Sequence, residues 1–331
     1  MNLKLNQKKY SLLIYGCGAI GSRHLQAALK SKLNINIFIY DKDIFAKKNT
    51  ITRINEISYD KKKIGIKFIL NFYIYKKFDL VILATPAFNR FFLINKISSE
   101  IKFKNIVIEK IAFQSSEEFK NTINFFNKEK INSWVNCPRR LNPIYAKIKK
   151  FLNKKEVMKM VIRGGKWNFT SNLIHFIDLF CFFTNNNSLS VQYKKFGKIY
   201  KSKRENYYNF DGKIVILNNK DDVLDVESKN NNNESVTINI KSKTVSIVIN
   251  ENKKEIIFRS NQNNKIVDKN MMVNNHVSDL STYFIDSILT KGKSRLVKAN
   301  ISYKHHKIML NIFLNHFNRR KDVLIETCPI T

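Results

Sequence analysis

The sequence predicts a two-part α/β protein: an N-terminal doubly wound parallel sheet of Rossmann type, then an α+β part with a mostly antiparallel open sheet. Three observations carry this expectation. Apolar runs alternate with helical patterns up to about residue 137, and a glycine-rich turn joins the first run to the first helical pattern. Beyond residue 138 the spacing changes to short alternating strands split by Asn-, Asp- and Lys-rich turns. The parts are accordingly placed at 1–137 and 138–331.

The first strand is Ser11-Leu12-Leu13-Ile14-Tyr15, and Ser22 to Lys30 has helical spacing. Between them lies Gly16-Cys17-Gly18-Ala19-Ile20-Gly21, a G-x-G-x-x-G turn. In such a turn the first glycine lets the chain leave the strand sharply, the second lets a pyrophosphate approach the backbone, and the third lets the helix pack closely. Ala19 and Ile20 complete the cradle, and the helix N-terminus supplies unpaired N–H groups for an anion. A second apolar run, Ile35 to Tyr40, ends in Asp41, about twenty residues beyond the last glycine, where a carboxylate can accept from a ribose diol. The same charge repels a 2′-phosphate, so the expected cofactor is NAD, with NADP the lesser choice because Lys42 adjoins Asp41.

Further along, Lys67–Leu70 reads as a strand, and Phe78 to Ala84 reads as a buried one that stops at Thr85-Pro86, with a helix over 87–97. Loops at the carboxyl ends of such strands face the ligand crevice, which sets Ala84, Thr85 and Pro86 along the cofactor. The strand Asn105–Ile108 brings Glu109 and Lys110 to the same edge, Glu109 on the cofactor side. Ser115-Ser116-Glu117-Glu118 starts a helix, and Asn132–Asn136 is one more strand. The second part opens with a helix to about Leu152, a strand from Val157 to Arg163, and a helix over 172–183 that carries His175 and Asp178. Short strands follow from Ser188 to Arg259, with Asn230–Asn233 as a surface hairpin loop; helices over 273–289 and 301–317 close the chain.

Composition bounds the function. A chain of 331 residues with 44% hydrophobic content can bury two cores. Lys and Arg number 59 against 26 Asp and Glu, a formal charge of +33, yet Lys far outnumbers Arg and the charge runs along the whole chain beside abundant Asn, Ile and Phe. These residues share A/T-rich codons, and no nucleic-acid recognition motif appears, so no nucleic-acid partner is expected; the positive field suits an anionic cofactor and substrate. The cysteines Cys17, Cys137, Cys181 and Cys328 are too dispersed for a metal or disulfide framework, and no apolar run is long enough for a membrane span. The apolar stretch after Lys8-Lys9 is also short for a signal core, so the expected setting is the cytoplasm.

Lys110, at the ligand edge of the sheet, can polarise a carbonyl or exchange a proton, or it can be an ordinary solvated lysine. His175 stands three residues before Asp178 on one helix side, close enough for the carboxylate to orient the imidazole; a core histidine among apolar neighbours fits the same spacing. His305 and His306 read as helix-face residues without a role, and no residue set has metal-ligand spacing.

Taken together, Gly16 to Leu25, Asp79 to Pro86, Glu109-Lys110, Asn136 to Pro143 and His175-Phe176-Ile177-Asp178 resemble the glucose-fructose oxidoreductase and inositol dehydrogenase family of NAD(P)-dependent sugar oxidoreductases. The resemblance covers about the first 180 residues well and the remainder in outline. It implies catalytic roles for Lys110, His175 and Asp178, and puts Arg139, Asn142 and Trp167 on the substrate side. It also implies a sugar or sugar nucleotide whose hydroxyl lies between Lys110 and His175, in either reaction direction, and a homodimer or homotetramer formed through the open sheet. The stretches around Gly164–Asn168 and Asn172–Phe180 look most like members associated with bacterial surface polysaccharides. Two residues depart from the pattern: Ile111 replaces a proline after the lysine, and Leu173 replaces a small residue before the histidine. They keep open an alternative, a regulator of the same fold that binds NAD without turnover.

Overall fold

A computed structural model describes residues 8–165, 167–229, 234–261, 266–271, 277–319 and 324–331. The Asn230–Asn233 run lies outside them. The chain forms two compact units.

The first unit comprises Met1–Phe113, Glu118–Pro138 and Asn275–Ala299. Its sheet has seven strands, ordered Val297–Lys298, Asn132–Asn136, Asn105–Glu109, Leu80–Leu83, Tyr10–Tyr15, Ile35–Tyr40, Ile64–Phe68. All neighbours pair in parallel except Val297–Lys298, which runs antiparallel along Asn132–Asn136. The strand order reverses beside Tyr10–Tyr15, whose neighbours are Ile35–Tyr40 and Leu80–Leu83, so the crevice of this doubly wound sheet opens at the carboxyl ends of Tyr10–Tyr15 and Leu80–Leu83. Continuous apolar runs make these strands central: Leu12, Leu13, Ile14, Leu80, Val81, Ile82 and Leu83 are all wholly buried. Each such side chain contributes about 1.5–3 kcal/mol through removal from water.

Local chemistry shifts several boundaries. The apolar run at 78–84 divides at Asp79, whose carboxylate accepts from the Ser11 N–H at 2.9 Å and from the Ser11 hydroxyl at 3.0 Å. The expected 87–97 helix instead runs Arg90–Glu100, because Asn89 takes a left-handed conformation with φ of 55°. The third strand is Ile64–Phe68 rather than 67–70, held in register by the pairing of Ile64 with Ile35.

The helix Gly21–Leu29 packs on the sequence-distant helix Val277–Lys291: Thr282 donates its hydroxyl to the Ala27 carbonyl at 2.9 Å, and Lys30 pairs with Asp279 at 2.6 Å.

The second unit comprises Gln114–Glu117, Arg139–Asn274 and Asn300–Thr331. Its eight-stranded sheet is ordered Leu189–Phe196, Gly212–Asn218, Val223–Lys229, Lys159–Gly165, Thr237–Lys241, Val245–Asn250, Glu255–Ser260, Ile266–Met271. It is antiparallel except where Val223–Lys229 runs parallel to Lys159–Gly165. The helix Phe169–Thr184 packs on this sheet, and Phe169, Phe196, Phe210 and Phe313 form an aromatic cluster with ring centroids 4.9–6.2 Å apart. The last helix, Ala299–Asn318, carries His305 and His306 and buries both completely. Among the described residues no helix is long and apolar enough to cross a membrane.

Candidate functional site: a dinucleotide cradle and two polar clusters

The glycine loop of the first unit behaves as its three glycines require. Gly16 has φ of +89°, and a Cβ there would meet the Ala84 carbonyl and Thr85 Cγ2 at 3.1 Å. The turn out of the first strand therefore touches the loop after Leu80–Leu83, and only glycine takes that conformation without strain. A Cβ on Gly21 would lie 1.8 Å from the Gly16 carbonyl oxygen, so a hydrogen there is what lets the helix start directly against the loop. Gly18 is the reverse case: it is exposed, and a Cβ on it would meet nothing within 4 Å. The space over Gly18 is open on the side where an anion would approach, with Ala19 and Ile20 exposed beside it and the helix dipole behind.

Asp41 ends the second strand and is tied to this loop. Its Oδ2 accepts from the Cys17 N–H at 2.5 Å, and its Oδ1 accepts from the Asp43 N–H at 2.9 Å. Burial pushes the Cys17 thiol up to about 11, which leaves it protonated and unreactive. Across the loop, the Thr85 hydroxyl is buried and has no hydrogen-bond partner among the described residues; Ala84 is half-buried and Pro86 exposed. An orphaned hydroxyl at the carboxyl edge of a central strand is a donor for a bound molecule. The residues present thus fit a dinucleotide: an open glycine cradle, a carboxylate at the end of the second strand and a spare hydroxyl on the third side.

Lys110 is half-buried at the end of Asn105–Glu109, and the peptide that joins it to Ile111 is cis. Glu109 points inward. Its Oε1 lies 2.7 Å from His24 Nε2 and accepts from the Asn136 side-chain amide at 2.6 Å, while His24 Nδ1 lies 3.0 Å from the Ser281 hydroxyl. Burial alone would raise the Glu109 carboxyl, but its hydrogen bonds and electrostatic interactions with His24, Asn136 and Lys110 hold it below the ordinary carboxylate value. Arg90, 1% exposed, donates from Nη1 to the carbonyls of Glu109 at 2.7 Å, Ile111 at 2.5 Å and Ala112 at 2.7 Å, and from Nη2 to the Thr85 carbonyl.

In the second unit, Arg139 and Arg140 diverge. Arg139 pairs with Glu251, which also accepts from the Tyr145 hydroxyl at 3.1 Å, and its guanidinium stacks 4.7 Å over the Phe176 ring. Arg140 forks onto Asp178, Nε to Oδ2 at 2.8 Å and Nη2 to Oδ1 at 2.6 Å. Burial pushes the Asp178 carboxyl up to about 6 against the opposing pull of Arg140. Both Asp178 oxygens are therefore occupied by a guanidinium, and Oδ1 also lies 3.6 Å from His305 Nδ1. His175 is half-buried on the same helix. Asn142 caps the helix Pro143–Phe151 by accepting from the Ile144 N–H at 3.0 Å. Trp167 packs edge-on to Phe169 and Phe176 at 5.4 and 5.1 Å, and its buried indole N–H has no partner among the described residues.

The His305–Asp178 pair has opposed titrations. Burial, with the Arg140, His306 and Lys304 charges nearby, pushes His305 down to about 3, so below its ordinary value the unfolded chain takes up a proton that the folded one refuses. Stability from this group is present above about pH 6.5 and lost at about 1.4 kcal/mol per pH unit as pH falls toward 3. Asp178 acts the other way between about 6 and 4, where the folded state binds the extra proton. Replacing His305 with Gln should therefore raise stability at about pH 5 relative to about pH 7 by on the order of 2 kcal/mol against the parent. Urea midpoints at the two pH values measure it; equal differences at both would remove His305 as the source.

Local patterning did not disclose Arg90, the His24–Asn136–Ser281 partners of Glu109, or the Glu251 partner of Arg139, since buried arginines and histidines carry no periodic signal. Nor does local pattern disclose Arg140 as the partner of Asp178, 38 residues away. Among the described residues no group of three or more His, Cys, Asp or Glu side chains could hold a metal ion.

No protein-family model matches the sequence, and no curated protein does. Solved structures do. An oxidoreductase from Agrobacterium radiobacter, in complex with NAD+, L-tartaric acid and magnesium, is 14% identical with a TM-score of 0.70 over 91% of this chain and 94% of its own. UDP-N-acetylglucosamine 3-dehydrogenase GnnA from Acidithiobacillus ferrooxidans is 11% identical with a TM-score of 0.68 over 92% and 97%. A super-repressor mutant of Gal80p from Saccharomyces cerevisiae is 11% identical with a TM-score of 0.70 over 94% and 97%. These neighbours are of the glucose-fructose oxidoreductase and inositol dehydrogenase type, and the chain has their fold over nearly its whole length.

Proposed function

We propose that this chain is an NAD-dependent oxidoreductase that moves a hydride between nicotinamide and a hydroxyl or keto carbon of a sugar or sugar nucleotide. The observation that carries the reading is the glycine loop: open space over Gly18 and an orphaned Thr85 hydroxyl at the switch point of the sheet. NAD, when bound, supplies the hydride acceptor or donor. Gly16, Gly18, Ala19, Ile20 and Gly21 cradle its pyrophosphate, Asp41 receives the ribose diol and disfavours a 2′-phosphate, and Ala84, Thr85 and Pro86 lie along it. Glu109 supports that edge from within.

In the oxidative direction His175 takes the hydroxyl proton as the carbonyl forms, and Lys110 turns its ammonium charge toward the developing oxygen. Asp178, clamped by Arg140, holds the His175 helix and the Arg139 segment to each other. Arg139, oriented by Glu251 and Phe176, suits an anionic or hydroxyl-rich substrate, and the Trp167 indole N–H offers it a further donor. Asn142 caps the helix that follows the Arg139 segment. The sugar-nucleotide class draws support from the likeness to UDP-N-acetylglucosamine 3-dehydrogenase, and a role in surface polysaccharides from the local similarity around Trp167 and His175. A dimer or tetramer formed through the open sheet belongs to the same reading.

The test is the absorbance of reduced nicotinamide after purified protein and NAD meet a panel of free sugars and UDP- and GDP-sugars. Reduction with one class, lost in His175→Ala, is the expected result. Bound NAD with no reduction anywhere favours the second reading, a regulator that keeps the cradle without turnover. That reading draws on the likeness to Gal80p and on Ile111 and Leu173.

A further inference from the structure

We propose that Arg90 is a positioning residue for Lys110, tying the lysine-bearing loop and the Ala84–Pro86 loop to one buried guanidinium. The proposal rests on the oxidoreductase reading only for its kinetic consequence; the geometry stands by itself. Arg90 begins the helix Arg90–Glu100 and is 1% exposed, an uncommon place for an arginine. It donates to the carbonyls of Glu109, Ile111 and Ala112, on both sides of Lys110, and to that of Thr85. The two loops follow adjacent parallel strands, Leu80–Leu83 and Asn105–Glu109.

A carbonyl that must meet a fixed donor fixes the plane of its peptide. The Glu109 carbonyl belongs to the peptide that enters Lys110, and the Ile111 and Ala112 carbonyls belong to the two peptides beyond Ile111, so one cation holds the chain on both sides of Lys110 and ties it to the carbonyl of Thr85, whose hydroxyl is the one offered to the cofactor. The demand is specific to arginine. Its planar fork reaches several acceptors at fixed angles, whereas a lysine ammonium is a point on a flexible stem. Glu109 adds a second anchor through His24 and Asn136, but it holds only the residue before the lysine. Arg90 holds the residues after it as well.

The experiment uses the full chain with Arg90→Lys, and Arg90→His as a smaller planar donor. Lysines are carbon-13 methylated and followed by NMR, and the Lys110 signal is identified by its loss in Lys110→Arg. The expected result is a folded variant with NAD affinity within about threefold of the parent, a Lys110 signal whose shift and titration change while the other lysine signals stay, and, with a turned-over substrate, kcat lower by about 10–100-fold at a KM within about threefold. A folded variant with an unmoved Lys110 signal overturns the proposal. So does failure of both variants to fold, which would make Arg90 a purely structural satisfier of buried carbonyls. If the parent transfers no hydride to any substrate, the oxidoreductase reading fails and the NMR comparison still decides the role of Arg90.

Discussion

Gly18→Val should leave the fold intact and abolish NAD binding, whereas Gly21→Val should damage the fold itself. The two glycines lie in one loop, so the contrast is a sharp one. A side chain on Gly18 meets nothing within 4 Å, so valine enters open space and the thermal midpoint should stay within about 2 °C of the parent. That open space is where the pyrophosphate would approach the helix N-terminus, and filling it should weaken NAD by about 100-fold or more. On Gly21 a Cβ would lie 1.8 Å from the Gly16 carbonyl oxygen, a backbone atom that cannot rotate away. The loop must open or the helix must retreat, at about 1–3 kcal/mol or more, a loss of several degrees in midpoint. Thermal melts and NAD titrations of both variants measure this. Parent-like NAD affinity in a folded Gly18→Val protein would remove the cradle from the cofactor site.

His175→Ala and Lys110→Ala should each lower kcat by about 10²–10⁴ while NAD affinity stays within about threefold. Loss of a proton acceptor removes a group that acts only as the O–H bond breaks, so the effect belongs in turnover and not in cofactor binding. In the regulator reading the parent itself transfers no hydride, so neither variant has a turnover to lose. Steady-state rates with the substrate from the panel, beside NAD titrations, provide the measurement. Unchanged turnover in both variants would exclude the proposed roles.

Much of the first unit was readable because its signals are local. Gly16, Gly18 and Gly21 sit within a single turn, and the strand, loop and helix around them are contiguous. The 78–84 run reads locally as one strand and is divided at Asp79, because the Ser11 donors that capture its carboxylate lie 68 residues away. The helix after Pro86 began late because Asn89 adopted a left-handed conformation, a choice that propensity alone leaves open. In the second unit the mostly antiparallel sheet was legible; the one parallel pairing among the described residues of that sheet, Val223–Lys229 with Lys159–Gly165, joins segments about sixty residues apart and leaves no mark on either.

The chemistry divides along the same line. By itself, the sequence determined where a dinucleotide cradle can form, which strands are central, and that Lys110 stands at a strand end, since each depends on side chains within a few residues of one another. Only the tertiary structure decided that Glu109 turns inward to His24 and Asn136, that both Asp178 oxygens belong to Arg140, that His305 is a neutral buried base, and that Arg90 gathers the carbonyls around Lys110. Nor could local pattern place the helix Val277–Lys291 against Gly21–Leu29. The reason is physical: apolar periodicity is written residue by residue, but a buried charge survives only beside a partner that satisfies it, and the topology, not the neighbouring sequence, chooses that partner.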